Sequence, residues 1–282
     1  VHYDVLLDKL GHSHWQKRKA EAKNKIKDVA KKLIAIAAKR FQSQSYSIQF
    51  EAADYDKFVS TFPFIETDDQ LSAIEDVIND FKKDIPADRL IVGDVAFGKT
   101  EVIIRAIYLA ARSNLQSIVL VPTTLLSRQH FENFTKRFMP FGIKVSQISR
   151  FVSDKEKFEI YDSIKNGSTQ VIVGTHALLS DKIFFKKLGL IIYDEEQKFG
   201  VGHKERLKQL KSDIHVLTLT ATPIPRTLQL SLSGVRELSV IGTPPIDRLA
   251  IRTYVSEFDT VTLREALLRE HYRGGQSFFV VP

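Results

Sequence analysis

Residues 88–103 read Asp88-Arg89-Leu90-Ile91-Val92-Gly93-Asp94-Val95-Ala96-Phe97-Gly98-Lys99-Thr100-Glu101-Val102-Ile103. The apolar run Leu90–Val92 predicts a strand. Val102, Ile103, Ala106 and Leu109 recur at helical spacing behind it. Between them, Gly93–Thr100 matches G-x-x-x-x-G-K-[ST]. Strand, glycine loop and helix in that order form the context in which this pattern cradles phosphate. Gly98 lets the backbone approach an anion, and successive N–H groups with the helix N-terminus surround it. Lys99 is expected on the β/γ-phosphates and the Thr100 hydroxyl on Mg²⁺. Gly93, Asp94, Val95, Ala96, Phe97 and Gly98 supply the loop.

Working outward, further short apolar runs alternate with amphipathic stretches. They are Ser117–Val121, Val145–Ile148, Val171–Val173, Leu188–Tyr193 and Val216–Leu219. Continuous β-branched runs separated by helices predict an α/β fold with a mainly parallel, buried sheet. Such sheets bind ligands beyond the carboxyl ends of their strands, so the residues after each run are the candidates. Asp194-Glu195 ends one run. A carboxylate there suits Mg²⁺ (Asp194) and the polarisation of an attacking water (Glu195). Thr220 to Thr227 follows the next, with Thr222-Pro223 also reading as a helix start. Thr123-Thr124, Ser149-Arg150 and Thr175-His176 follow three others. Each sets hydroxyl, basic or amide donors on one sheet edge, suited to a sugar–phosphate backbone or to ordinary loop caps. Thr67-Asp68-Asp69-Gln70 reads as a capping box. Gln70 can alternatively make a bidentate contact with adenine.

Composition narrows the class. Of 282 residues, 43% are hydrophobic and 27% charged, which excludes disorder. There is no cysteine, so disulfides, thiolate zinc sites and cysteine nucleophiles are excluded. No apolar run approaches the ~18 residues of a membrane span. The net charge is +7, yet residues 9–40 alone carry +9, while residues 41–282 hold 30 charges of each sign. Apolar positions from Ala22 to Phe41 keep a helical period. Ser13–Gln16 forms a capping box, so residues 13–42 predict one basic helix about 45 Å long at ~1.5 Å per residue. Its basic face can track phosphates or simply solubilise the helix, and its apolar stripe needs a surface to pack on. Thr243-Pro244-Pro245 marks a boundary. After it, Ile251–Val255, a helix near Thr260–Glu270 and Ser277–Val281 predict the start of a second β-α-β unit. The divisions are thus 1–45 (linker and connector helix), 46–245 (phosphate-binding domain) and 246–282. The start at Val1 and the strand-like ending Val280-Val281-Pro282 suggest a piece of a longer protein.

The ordered set Phe-Pro-Phe (62–64), Thr-x-x-Gln (67–70), Gly93–Thr100, Pro-Thr-x-Leu (122–125), Gly-Thr-His-x-Leu-Leu (174–179), Asp-Glu-x-x-x-Phe-Gly (194–200) and Thr-Ala-Thr-Pro-Ile-Pro-Arg-Thr (220–227) resembles the first motor lobe of superfamily-2 DNA translocases. VPTTLLSRQ (121–129), ISRF (148–151) and DEEQKFGVGHKER (194–206) are similar to the transcription-repair coupling factors within them, with RecG-like branched-DNA helicases as the alternative. The resemblance implies a RecA-like lobe that uses ATP and Mg²⁺ to move on double-stranded DNA. It implies cytoplasmic action on stalled RNA polymerase with excision-repair proteins, through regions mostly outside this chain. By motif, it implies nucleotide contacts from Gln70, DNA contacts from Thr123, Thr124, Arg150, Thr175 and His176, and coupling of hydrolysis to movement through Gln197, Thr220, Thr222 and Arg226. Two positions depart from the pattern. Ala96 replaces a usual glycine, which strains the loop and weakens nucleotide binding if φ there is positive. Gln197-Lys198 replaces His-Arg. The family's arginine finger lies on the second lobe and is not expected among Arg264, Arg269 or Arg273, so the 282 residues alone should turn over little ATP. A nucleotide-binding module without motor function, its basic helix holding a protein partner, is the reading from a different class.

Overall fold

The computed structural model describes residues 19–21, 38, 40, 42–149, 152–180, 182–195, 213–221, 236–246 and 253–280. Two compact units divide at Pro245/Ile246.

In the first unit, seven parallel strands form one sheet. They are β1 (Asp88–Gly93), β2 (Gln116–Leu120), β3 (Val145–Ile148), β4 (Val171–Gly174), β5 (Leu188–Asp194), β6 (His215–Thr220) and β7 (Glu237–Ile241). Their order is β3-β4-β2-β5-β6-β1-β7. The helices are α1 (Ala52–Val59), α2 (Asp68–Phe81), α3 (Lys99–Arg112), α4 (Thr124–Phe138) and α5 (Asp154–Asn166). The continuous apolar runs reflect burial on both faces of the sheet. Val119, Val173, Leu190, Ile192, Leu217 and Leu219 point into one core, with α1 to α4 packed over it. Ile118, Leu120, Ile172, Ile191, Tyr193 and Val216 alternate into a second core, with Ile164 of α5 and Leu178. A strand's side chains alternate faces, so a strand covered on both sides must be apolar throughout. Helix α3 follows the same logic. Residues 101–111 are all buried, because the helix lies between the sheet and its neighbours rather than on the surface.

Two buried polar clusters fix the helices that carry the loop. Glu101 of α3 accepts from Arg105 Nε at 3.0 Å and from an Arg137 terminal nitrogen at 3.2 Å. Arg105 also pairs with Glu66, beside the α2 cap. The Arg137 guanidinium lies 4.7 Å from the Phe58 ring centroid and 5.7 Å from that of Phe62. Removing one partner of such a cluster leaves a buried charge unpaired, at roughly 3–5 kcal/mol. Across the sheet, Arg89 bonds Asp80 at 2.6 Å, Asp76 at 3.0 Å and the Ser239 hydroxyl at 2.9 Å, tying β1 to α2 and β7.

Of the predicted helix 13–42, residues 19–21, 38, 40 and 42 are described; all are helical except Gln42, which lies in a turn. Among its described residues, Arg40 provides a packing contact. Arg40 is 5% exposed and donates to the carbonyls of Ala87 and Ile214, at 2.6 and 3.1 Å. The Ser13–Gln16 capping box lies outside the described residues. The second unit contains α6 (Thr260–Tyr272), capped by Asp259, which accepts from Val261 N and Thr262 N. Among the described residues its predicted flanking strands are not found. Residues 253–255 and 277–280 carry no strand and are exposed, since strands need partners to satisfy their backbone groups.

At the amino edge of the sheet, His215 is fully buried. Its Nδ1 accepts from Ala87 N at 3.1 Å and its Nε2 donates to the Tyr46 carbonyl at 2.8 Å, which sets the tautomer. Burial pushes its pKa below the ordinary 6.5, and the Tyr46 bond opposes this only partly. The unfolded chain therefore takes up a proton near 6.5 while the folded chain does not. Stability is full above that pH and falls as pH drops toward the lowered folded value. Urea unfolding should show lower stability at pH 5.5 than at pH 7.5, with part of the loss from this group. A His215→Asn variant should be less stable at both values but should lose less between them. An equal pH loss in the variant would contradict this account.

Candidate functional site

All strands run parallel, so their carboxyl ends share one edge. On it, β1 lies between β6 and β7, and β5 between β6 and β2. The residues after β1, β5 and β6 are therefore neighbours, although 100 residues or more separate the first from the others in sequence.

Beyond Gly93 the loop tightens through a Phe97 N to Asp94 O bond of 3.2 Å. Ala96 has φ +64° and Gly98 φ +80°. Gly98 opens α3, whose N-terminus carries no side-chain cap. Uncapped helix amides behind left-handed loop residues suit an anion. A β-carbon on Gly98 would lie 2.3 Å from Gln70 Nε2 and would displace that amide, and the positive φ strains any other residue there. Lys99 Nζ donates to the Gly93 and Asp94 carbonyls, at 2.5 and 2.9 Å. Burial lowers its pKa, against the raising effects of Asp194, Glu195 and Asp94. Thr100 sits half-buried in the first turn of α3. Phosphate oxygens are better acceptors for this cation than neutral carbonyls, so the donor set fits a nucleotide phosphate chain.

Asp194 ends β5, with its Oδ2 3.2 Å from His130 Nε2 on α4. Glu195 adopts φ +58°, a left-handed conformation rare for a residue with a side chain. Its N–H donates to Leu219 O at 3.0 Å, and its carboxylate accepts from Ala221 N at 2.8 Å and from the Thr220 hydroxyl at 3.4 Å. The structure thus brings Lys99, Thr100, Asp194, Glu195 and Thr220 to one edge. Gln70 is engaged on the protein itself. Its Oε1 accepts from Thr67 N at 3.2 Å, and its Nε2 donates to Phe97 O at 2.9 Å. The capping box is formed, and an adenine contact by Gln70 would require its amide to leave these partners. Arg150, Gln197, Thr222 and Arg226 lie outside the described residues.

A DEAD/DEAH box helicase model matches residues 67–231, from the α2 cap to the segment after β6. The chain belongs to the DEAD/DEAH box helicase family. It is 52% identical over 280 residues to the transcription-repair-coupling factor of Rickettsia conorii, covering 98% of this chain and 25% of that protein. It is 46% identical over 274 residues to that of Escherichia coli, covering 97% and 24%. The chain thus spans about a quarter of these relatives' length. A solved structure of RecG bound to a three-way DNA junction is 30% identical, with a TM-score of 0.76, covering 91% of this chain and 35% of that one. The seven-stranded unit is the RecA-like helicase fold.

The other edge candidates of this helicase chain also converge. Thr123, Thr124, Thr175 and His176 line one cavity of about 930 Å³ beyond β2, β3 and β4, together with Ser149. Thr123 caps α4 by accepting from Leu126 N at 3.2 Å, leaving its O–H to donate. Two contacts were not legible from motifs. His130 carried no pattern, although it falls one heptad after Thr123 on the α4 face that buries Phe134 and Phe138. Asp69 accepts from Gly242 N and Thr243 N, at 2.9 and 2.7 Å, tying the α2 cap to the end of the first unit.

The positive φ at Ala96 meets the condition under which alanine strains the loop. A side chain in that conformation costs roughly 1–2 kcal/mol, part of which glycine's greater unfolded freedom takes back. Ala96→Gly should raise the urea midpoint, with a gain of about 1 kcal/mol. A lowered midpoint would show that residue 96 is not left-handed.

Proposed function

We propose that this chain is the ATP-binding motor lobe of a double-stranded DNA translocase that couples transcription to nucleotide excision repair by displacing stalled RNA polymerase. The supporting observation is similarity to transcription-repair-coupling factors along 98% of the chain, combined with a site in which loop, carboxylates and β6 end converge. Residues 46–245 are the lobe, 1–45 the connector and 246–282 the beginning of a second lobe. Among the described residues no helix is long and apolar enough to cross a membrane, which accords with cytoplasmic action on DNA.

In this reading Lys99 exchanges the Gly93 and Asp94 carbonyls for the β/γ-phosphates, and the α3 N-terminus and loop amides hold the remaining charge. Thr100 and Asp194 would hold Mg²⁺, partly through water, and the ion would offset phosphate charge. Glu195 takes the proton of the attacking water. Its carboxylate rests on Ala221 and Thr220, so a shift of the segment after β6, which includes Thr222 and Arg226, moves the base. That link is the route from hydrolysis to motion, with Gln197 beside it in sequence. Thr123, Thr124, Arg150, Thr175 and His176 hold the DNA backbone. A RecG-like action on branched DNA is the second reading, favoured by the RecG likeness.

In the full-length protein, plasmid DNA should stimulate phosphate release. Glu195→Gln should keep nucleotide binding and lose turnover by two or more orders of magnitude, since general-base catalysis contributes ~10²–10⁴-fold. The wild type should displace a stalled polymerase. A protein that unwinds branched DNA but leaves the polymerase in place would favour the second reading, and turnover indifferent to DNA would defeat both.

A further inference from the structure

The two residues read as Mg²⁺ ligands stand on different elements, Thr100 on α3 and Asp194 at the end of β5. Helix α4 touches both elements. Near its carboxyl end, an Arg137 terminal nitrogen bonds Glu101, the neighbour of Thr100, at 3.2 Å. In its middle, His130 Nε2 lies 3.2 Å from Asp194 Oδ2. One helix is therefore in contact with the element that carries Thr100 and with the Asp194 carboxylate itself.

Packing alone does not account for a histidine at position 130. The buried face of α4 runs Ser127, His130, Phe134 and Phe138. His130 is 8% exposed, and its ring centroid lies 5.2 Å from that of Phe134. An apolar side chain would fill this place without the cost of burying a polar ring. A buried polar group needs a partner, and here it is the Asp194 carboxylate. A metal-binding carboxylate is ionised and only accepts, so the bond requires the proton on Nε2. Held through Oδ2, the carboxylate does not turn freely, and Oδ1 is left to the ion or to water on it. Hydrogen bonds of this kind to a ligand carboxylate strengthen metal binding.

We propose that His130 is a positioning residue for Mg²⁺ binding, its Nε2–H holding Asp194 Oδ2 in the orientation that the ion requires. The proposal rests on the reading of Asp194 as a Mg²⁺ ligand and adds the group that orients it. The test is binding of a fluorescent, non-hydrolysable ATP analogue to the full-length protein, titrated with Mg²⁺ and repeated in EDTA. His130→Phe keeps a ring against Phe134 and deletes the donor. It should raise the Mg²⁺ concentration for half-maximal binding roughly 10- to 100-fold, the range for outer partners of metal ligands. Its affinity in EDTA should match the wild type, because the loop and Lys99 are untouched. His130→Gln, whose amide nitrogen reaches about as far as Nε2, should restore most of the Mg²⁺ response. Unfolding midpoints check that each variant is folded, with His130→Leu as the donor-free replacement if the Phe variant is not. A wild-type Mg²⁺ midpoint in the donor-free variant, beside a raised one in Asp194→Ala, would overturn the proposal. An equal loss with and without Mg²⁺, or no rescue by Gln, would also overturn it and mark His130 as a packing residue. A wild-type midpoint in Asp194→Ala would remove the reading beneath it.

Discussion

The contact between the Gln70 amide and the loop governs the geometry of the site. One side chain closes the α2 cap through Thr67 and holds the Phe97 carbonyl, with its nitrogen against Gly98. Helix α2, the loop and the start of α3 are therefore fixed by a single buried amide. The Glu66–Arg105–Glu101–Arg137 cluster supports it from beneath. It neutralises charge inside the helix layer and clamps α3 to the chain entering α2. The loop gains its shape from this packing, and with it the open helix N-terminus that an anion needs.

Parallel strand order does the rest. The carboxylates after β5, the hydroxyls after β6 and the loop after β1 come from distant sequence, yet adjacency in the sheet sets them side by side. Helix α4 begins at the cavity with Thr123 and reaches Asp194 two turns later through His130. Asp69 reaches the last residues of the first unit. The edge beyond β1, β5 and β6, the cavity beyond β2 to β4 and the end of the first unit are thus linked by short side-chain contacts.

The central strands were legible because burial on both faces forces unbroken apolar runs, and the edge strand β3 from its flanking Val145 and Ile148. Strand β7 was not, because its sequence Glu-Leu-Ser-Val-Ile exposes Glu237 and Val240 while burying Ser239, and so reads as neither a buried nor an amphipathic strand. The loop could be read from its glycines and lysine, and the capping box from Thr67 and Gln70. The second bond of Gln70, to Phe97, could not, since it depends on how α2 packs. His130 lacked any pattern because its role comes from helix α4 crossing β5. The strands expected at 251–255 and 277–281 have the right composition, but the described parts of both carry no strand.

The central claim is that Gly93–Thr100 holds a nucleoside triphosphate through the Lys99 cation. Titration of a fluorescent ATP analogue with Mg²⁺ into the wild type and Lys99→Ala tests it directly. Loss of a charge-assisted bond of about 1.5–3 kcal/mol predicts affinity weakened at least tenfold in the variant. Equal affinities would contradict the account.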